Sequence, residues 1–208
     1  MPSTRYQKIN AHHYRHIWVV GDIHGEYQLL QSRLHQLSFF PEIDLLISVG
    51  DNIDRGPESL DVLRLLNQPW FTSVKGNHEA MALEAFETGD GNMWLASGGD
   101  WFFDLNDSEQ QEAIDLLLKF HHLPHIIEIT NDNIKYAIAH ADYPGSEYLF
   151  GKEIAESELL WPVDRVQKSL NGELQQINGA DYFIFGHMMF DNIQTFANQI
   201  YIDTGTPK

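Results

Sequence analysis

The chain reads as an α/β protein that opens with parallel βαβαβ units. Three observations predict this. Short apolar runs at residues 16–20, 43–49 and 71–74 each end in a glycine-bounded polar loop. Each loop is followed by apolar residues at helical spacing, so strand, loop and helix repeat three times. Asp22, Asp51 and Asn77, one from each loop, lie 29 and 26 residues apart, about one crossover unit each. Sites in such sheets form beyond the carboxyl ends of the strands, so the three loops should converge.

Taken in order, residues 1–14 are polar and expected to be a flexible N-terminus, without the apolar core of a signal peptide. The first strand, residues 16–20, leads into Gly21-Asp22-Ile23-His24-Gly25. Leu29, Leu30, Leu34 and Leu37 then mark a helix over residues 26–37. The second strand ends in Gly50-Asp51-Asn52-Ile53-Asp54-Arg55-Gly56, and Pro57 suits the first turn of the next helix. The third strand ends in Gly76-Asn77-His78-Glu79, with a helix over residues 80–86. Ser108 is the expected N-cap of a helix carrying Ala113, Leu116, Leu117 and Phe120. Residues 126–129 and 134–139 read as a hairpin whose second arm ends in His140. Residues 182–185 read as a strand ending in Gly186-His187, and residues 193–196 and 200–202 as a last hairpin. Residues 145–180 are polar and carry no clear element.

At 208 residues and 43% hydrophobic content, one domain over residues 1–208 is expected. The formal net charge of −17 disfavours nucleic-acid backbones and anionic membranes as partners. It does not disfavour a phosphorylated substrate, because bound cations reverse the potential locally. Cysteine is absent, so disulfides and thiolate metal sites are excluded. No apolar run approaches a membrane span, and a cytoplasmic monomer is expected.

Five strand ends offer Asp22 with His24, Asp51, Asn77 with His78, His140 and His187. Carboxylate, imidazole and amide donors together suit manganese, iron or zinc better than calcium or magnesium alone. A carboxylate from a central loop can bridge two ions about 3.5–4 Å apart. Any one aspartate after a strand is ordinarily a turn or cap residue; it is the set that points to chemistry.

The three loop sequences, with His140 in Ile-Ala-His-Ala-Asp-Tyr-Pro and His187 in Phe-Gly-His, resemble the successive motifs of the PPP phosphoprotein phosphatases. Trp161-Pro162-Val163-Asp164-Arg165 and Tyr201-Ile202-Asp203-Thr204-Gly205 are most similar to its bacterial and bacteriophage lambda branch. The resemblance covers residues 17–205. It implies a calcineurin-like metallophosphoesterase fold, a mixed β-sandwich flanked by helices. It implies hydrolysis of phosphoserine and phosphothreonine, with phosphotyrosine as a further substrate, on a protein or peptide by water or hydroxide at a binuclear centre. The centre would hold two divalent ions, manganese first, with iron, zinc or nickel as substitutes. Asp22, His24 and Asp51 would hold the first ion, and Asp51, Asn77, His140 and His187 the second. Arg55 and Arg165 would clamp the phosphate, and His78, paired with Asp54, would protonate the leaving alkoxide. Glu79, Asp142 and Asp203 read as groups that order the loops, and Trp94 and Trp101 as core or cover.

Two departures from the family stand out. Met188-Met189 follows His187 where members carry Thr-Pro, which alters the pocket wall and spares the ligands. Members also continue past Gly205 with another strand, so a shortened sheet edge is expected. A dinucleoside polyphosphate or other phosphoester hydrolase with the same metal core is the competing enzyme reading. A silent phosphoprotein-binding module is the competing non-enzyme reading.

Overall fold

The computed structural model describes residues 4–205. The first part contains β1 (Tyr6–Asn10), β2 (Ile17–Val20), α1 (Tyr27–Gln36), β3 (Leu45–Ser48), α2 (Ser59–Arg64), β4 (Phe71–Ser73) and α3 (Asn77–Thr88). A helical middle follows with α4 (Asn92–Ala96) and α5 (Asp107–Leu117). The remainder contains β5 (Ile126–Asn131), β6 (Ile134–Ile138), α6 (Ser157–Leu160), α7 (Asp164–Leu170), β7 (Tyr182–Phe185), β8 (Gln194–Phe196) and β9 (Gln199–Tyr201).

The strands form two sheets. One is three-stranded in the order β2-β3-β4, parallel throughout as the crossover spacing predicts. The other is six-stranded in the order β1-β5-β6-β7-β9-β8, mixed, with antiparallel β5–β6 and β8–β9 hairpins and parallel β6–β7 and β7–β9 pairs. β3 is buried along its whole length, as a strand covered on both faces must be. Leu45 and Ile47 pack inward with Ile127, Ile129 and Ile138 between the sheets, while Leu46 turns outward to Leu30, Leu34 and Val62 of the helices. That alternation is the period-two rule of a strand at work. Residues of α2, α3 and α5 form a helical core around Leu63, Ala82, Leu117 and Phe120. The outer face of the larger sheet packs Phe183 and Phe185 against Tyr143, Tyr148, Leu159 and Leu160.

The N-terminus differs from expectation. Tyr6–Asn10 is a strand, paired in parallel with β5 from Tyr6 opposite Ile126 to Asn10 opposite Thr130. It buries only Ile9, so its sequence carries no apolar run to announce it. Residues 1–3 of that expected flexible segment lie outside the described residues, as do residues 206–208. The cap of α5 is Asn106, not Ser108: its side chain accepts from Ser108 N and Glu109 N, and Glu109 reaches back to Asn106 N in a capping box. Residues 145–180 hold two short helices, α6 and α7. None of the described helices is long and apolar enough to cross a membrane.

Candidate metal centre

All five expected loops meet where the two sheets adjoin. The backbone there is bent into a region that side chains disfavour. His24 (φ 46°), Asp51 (51°), Asp54 (73°), Arg55 (69°) and His187 (64°) all take left-handed conformations. Each costs about 1–2 kcal/mol against ordinary backbone, and such costs concentrate at functional sites. Gly50 and Gly76 let the second and third loops touch: a Cβ on Gly50 would lie 2.7 Å from Gly76 Cα, and one on Gly76 would lie 2.2 Å from Asp51 Oδ1.

Buried Glu79 offsets part of that cost. Its carboxylate accepts from Asp51 N (3.1 Å), Asn52 N (2.6 Å) and Gly76 N (2.8 Å), tying two loops to the first turn of α3. The helix begins at Asn77, so Asn77 and His78 sit in its first turn and not in a free loop. His78 N donates to Asp51 Oδ1 at 3.0 Å, and His187 N donates to both Asp22 oxygens at 3.1 Å.

Two of the three expected histidine ligands are oriented by a backbone carbonyl. The His24 ring donates from Nδ1 to Ile53 O and the His140 ring from Nδ1 to Val49 O, both at 2.9 Å. The other ring nitrogen then carries a lone pair facing the centre. Burial lowers the His24 pKa to about 3 and those of His140 and His187 to about 4, so all three are neutral near pH 7. Asn77 Oδ1 lies 2.8 Å from His140 Nε2 and 3.0 Å from His187 Nδ1. With its Nδ1 donating to Val49 O, His140 Nε2 and Asn77 Oδ1 are two acceptors turned toward one another. Burial also raises the pKa of Asp22, to which the Asp51 and Asp203 charges add. Burial raises Asp51 and Glu79 as well, against the pull of His78 on Asp51. A cation relieves both the facing lone pairs and the crowded carboxylates, so the donor set fits divalent ions. Two groups have ligand atoms within 4.8 Å of one another: His24, Asp51 and His78, and Asp51, His140 and His187. Asp51 belongs to both. Asp22 belongs to neither, its carboxylate being turned to His187 N.

His78 Nδ1 lies 2.6 Å from Asp54 Oδ2. Burial works to lower the His78 pKa, but the Asp54 hydrogen bond and the Asp51 and Asp54 charges raise it overall. Arg55 donates to His24 Nε2 at 2.8 Å, and another of its terminal nitrogens lies 3.0 Å from His78 Nε2. Among the described residues it forms no ion pair with a carboxylate.

Arg165 departs from expectation. Its Nε donates to Asp142 Oδ1 at 2.8 Å, and one terminal nitrogen donates to Tyr143 O at 2.9 Å and Gly145 O at 2.7 Å. The side chain is buried, its donors fasten the loop that follows His140, and no hydrogen bond joins it to the Asp51 cluster. Of the two arginines expected at the phosphate, Arg55 borders the Asp51 cluster and Arg165 is tied into the loop after His140.

Two tryptophans expected as core or cover also reach the centre. Trp94 Nε1 donates to both Asp54 oxygens (3.0 and 3.1 Å) and Trp101 Nε1 donates to Asp54 Oδ1 (2.7 Å). The only signal for them is Gly98-Gly99, which lets this segment approach Arg55 and Trp94: Gly98 O accepts from Arg55 N, and a Cβ on Gly99 would lie 2.6 Å from the Trp94 ring.

This fold, with polar strand ends gathered at the seam of two sheets, is that of a phosphoesterase. Residues 15–190 match the calcineurin-like phosphoesterase model, and the chain belongs to that family. The chain is 99% identical over 207 residues to serine/threonine-protein phosphatase 2 of Escherichia coli, covering 100% of this chain and 95% of that protein. It is 59% identical to the protein of the same name from Salmonella typhimurium, covering 99% and 94%. The solved structure of a protein serine/threonine phosphatase from Saccharomyces cerevisiae superposes with a TM-score of 0.67 at 18% identity, covering 96% and 71%.

Proposed function

We propose that this chain is a phosphoprotein phosphatase that hydrolyses phosphoserine and phosphothreonine monoesters with two divalent ions, manganese the first choice. One observation carries the reading: Asp51 lies with His24 on one side and with His140 and His187 on the other, and the His78–Asp54 pair and Arg55 border the same cluster. The identity to named protein phosphatases supports the substrate class. Asp22, His24 and Asp51 would hold one ion, and Asp51, Asn77, His140 and His187 the other. When bound, such ions supply a water of lowered pKa as nucleophile and neutralise phosphoryl oxygens. The protein's own groups do the rest. Arg55 presents a planar fork to the phosphoryl oxygens, a match that an ammonium does not make. As the phosphorus–oxygen bond to serine breaks, His78 gives a proton from Nε2 to the departing alkoxide. Asp54 keeps the ring oriented through Nδ1 and favours its charged form. Glu79 holds the two loops still.

Turnover of a phosphoserine peptide against a dinucleoside tetraphosphate tests the reading. Metal-loaded protein should prefer the peptide, lose activity on chelation and regain it with Mn²⁺. Full activity after chelation, or preference for the dinucleotide, would overturn it.

A further inference from the structure

Asp54 is fully buried, yet its carboxylate makes no ion pair with a lysine or arginine among the described residues. It is held by three ring N–H groups: His78 Nδ1 at 2.6 Å, Trp101 Nε1 at 2.7 Å, and Trp94 Nε1 shared between both oxygens at 3.0 and 3.1 Å. A buried carboxylate without such donors would be costly. The choice of donor matters. A lysine or arginine here would compete with His78 for the negative charge and oppose its protonation. A hydroxyl could turn and accept. An indole is uncharged, donor-only and rigid. It stabilises the anion, leaves the full charge to act on His78, and fixes the carboxylate plane along which His78 must point.

The two indoles come from a part of the chain that none of the strand-end loops supplies, α4 and the turn after it. Trp94 is itself clamped, with Phe86 and Phe102 ring centroids at 5.4 and 5.7 Å. Trp101 lines an open cleft of about 500 Å³ that Arg55 also borders. We infer that Trp94 and Trp101 are positioning residues for proton donation, acting through Asp54 on His78. This rests on the proposed acid role of His78.

Leaving-group dependence in the Mn²⁺-loaded chain is the test. A serine alkoxide needs a proton to depart, whereas p-nitrophenolate leaves without one. Trp101→Phe should lower kcat on a phosphoserine peptide by about tenfold, the size of one hydrogen bond to a charged group. On p-nitrophenyl phosphate the loss should stay under about twofold, with KM and metal content unchanged. Equal losses on the two substrates, or no loss on the peptide, would overturn the inference. His78→Asn measured in parallel separates the two layers of the argument. If it discriminates between the substrates and Trp101→Phe does not, the indoles are packing groups and His78 remains the acid. If His78→Asn itself does not discriminate, the acid reading fails first. Trp94→Phe should behave as Trp101→Phe does. Should it fail to fold, the half-buried Trp101 carries the test alone. In the folded protein, Asp54→Asn should move both indole N–H proton resonances upfield; unmoved resonances overturn the contact on which the inference stands.

Discussion

Arg55 and Arg165 carry the same side chain and, from sequence, the same expected task, but the regions around them differ. Arg55 sits in a loop of left-handed residues beside the imidazoles of His24 and His78, and among the described residues no carboxylate pairs with it. Arg165 sits on α7 among four acceptors, Asp142, Tyr143 O, Gly145 O and Gln175. A guanidinium whose donors are filled by its own protein has little left to offer an anion. Acceptor supply, more than residue type, decides how many of an arginine's donors are left over for an anion.

That contrast can be broken from either side. The largest effect belongs to the loop of Arg55. Asp51→Asn should remove the ligand shared by both groups and lower kcat/KM on a phosphoserine peptide by on the order of 10³-fold or more. Metal analysis of the purified variant should show the loss, and retained metal with full activity would break the bridging assignment. Arg55→Lys comes next. It should lower kcat/KM by about 10–100-fold while Tm stays within a few degrees, because a fork is lost and the fold is not. Arg165→Lys should give the reverse, a fall in Tm of about 5–10 °C with kcat/KM at low temperature changed by less than about threefold. A kinetic collapse in Arg165→Lys at unchanged Tm would restore Arg165 to the phosphate clamp.

A third arginine sharpens the comparison with the smallest effect. Arg15 donates through Nε to buried Asp44 Oδ1 at 2.8 Å and through a terminal nitrogen to Oδ2. The Arg15 hydrogen bond holds the Asp44 carboxyl below its ordinary range, with Phe40 N also lowering it. A depressed folded pKa contributes stability above the unfolded value, about pH 4, and that contribution is lost as pH falls through the folded value. Asp44→Asn should therefore lower Tm by about 2–4 °C near neutral pH. The gap to the parent should narrow below pH 4. A gap that widens in acid would reverse the sign assigned here.

The parallel core and its three loops were legible because each strand was an apolar run with punctuation at its end. β1 was not, since a sheet-edge strand burying one residue in five has no such pattern. α6 and α7 were hidden for a related reason: at four and seven residues they are too short to show a helical period. Within the centre, which side chains the loops bring to a common point was legible from motif order. Arg165 was not, because nothing in a linear sequence tells which acceptors will surround a guanidinium. Trp94 and Trp101 were not, because an indole looks apolar in a pattern and only geometry reveals where its one polar bond points.

The seam on which the centre lies has a mechanical consequence. Asp22, Asp51 and Asn77 follow strands of the smaller sheet, while His140 and His187 follow strands of the larger one. The two groups are stitched by His140 to Val49 O and by His187 N to Asp22. A ligand gripping both sides works as a rivet between the layers. By linkage, its affinity then measures how firmly the sheets hold together, and loosening the hydrophobic interface far from the centre, at Ile127 or Ile138, should weaken that grip.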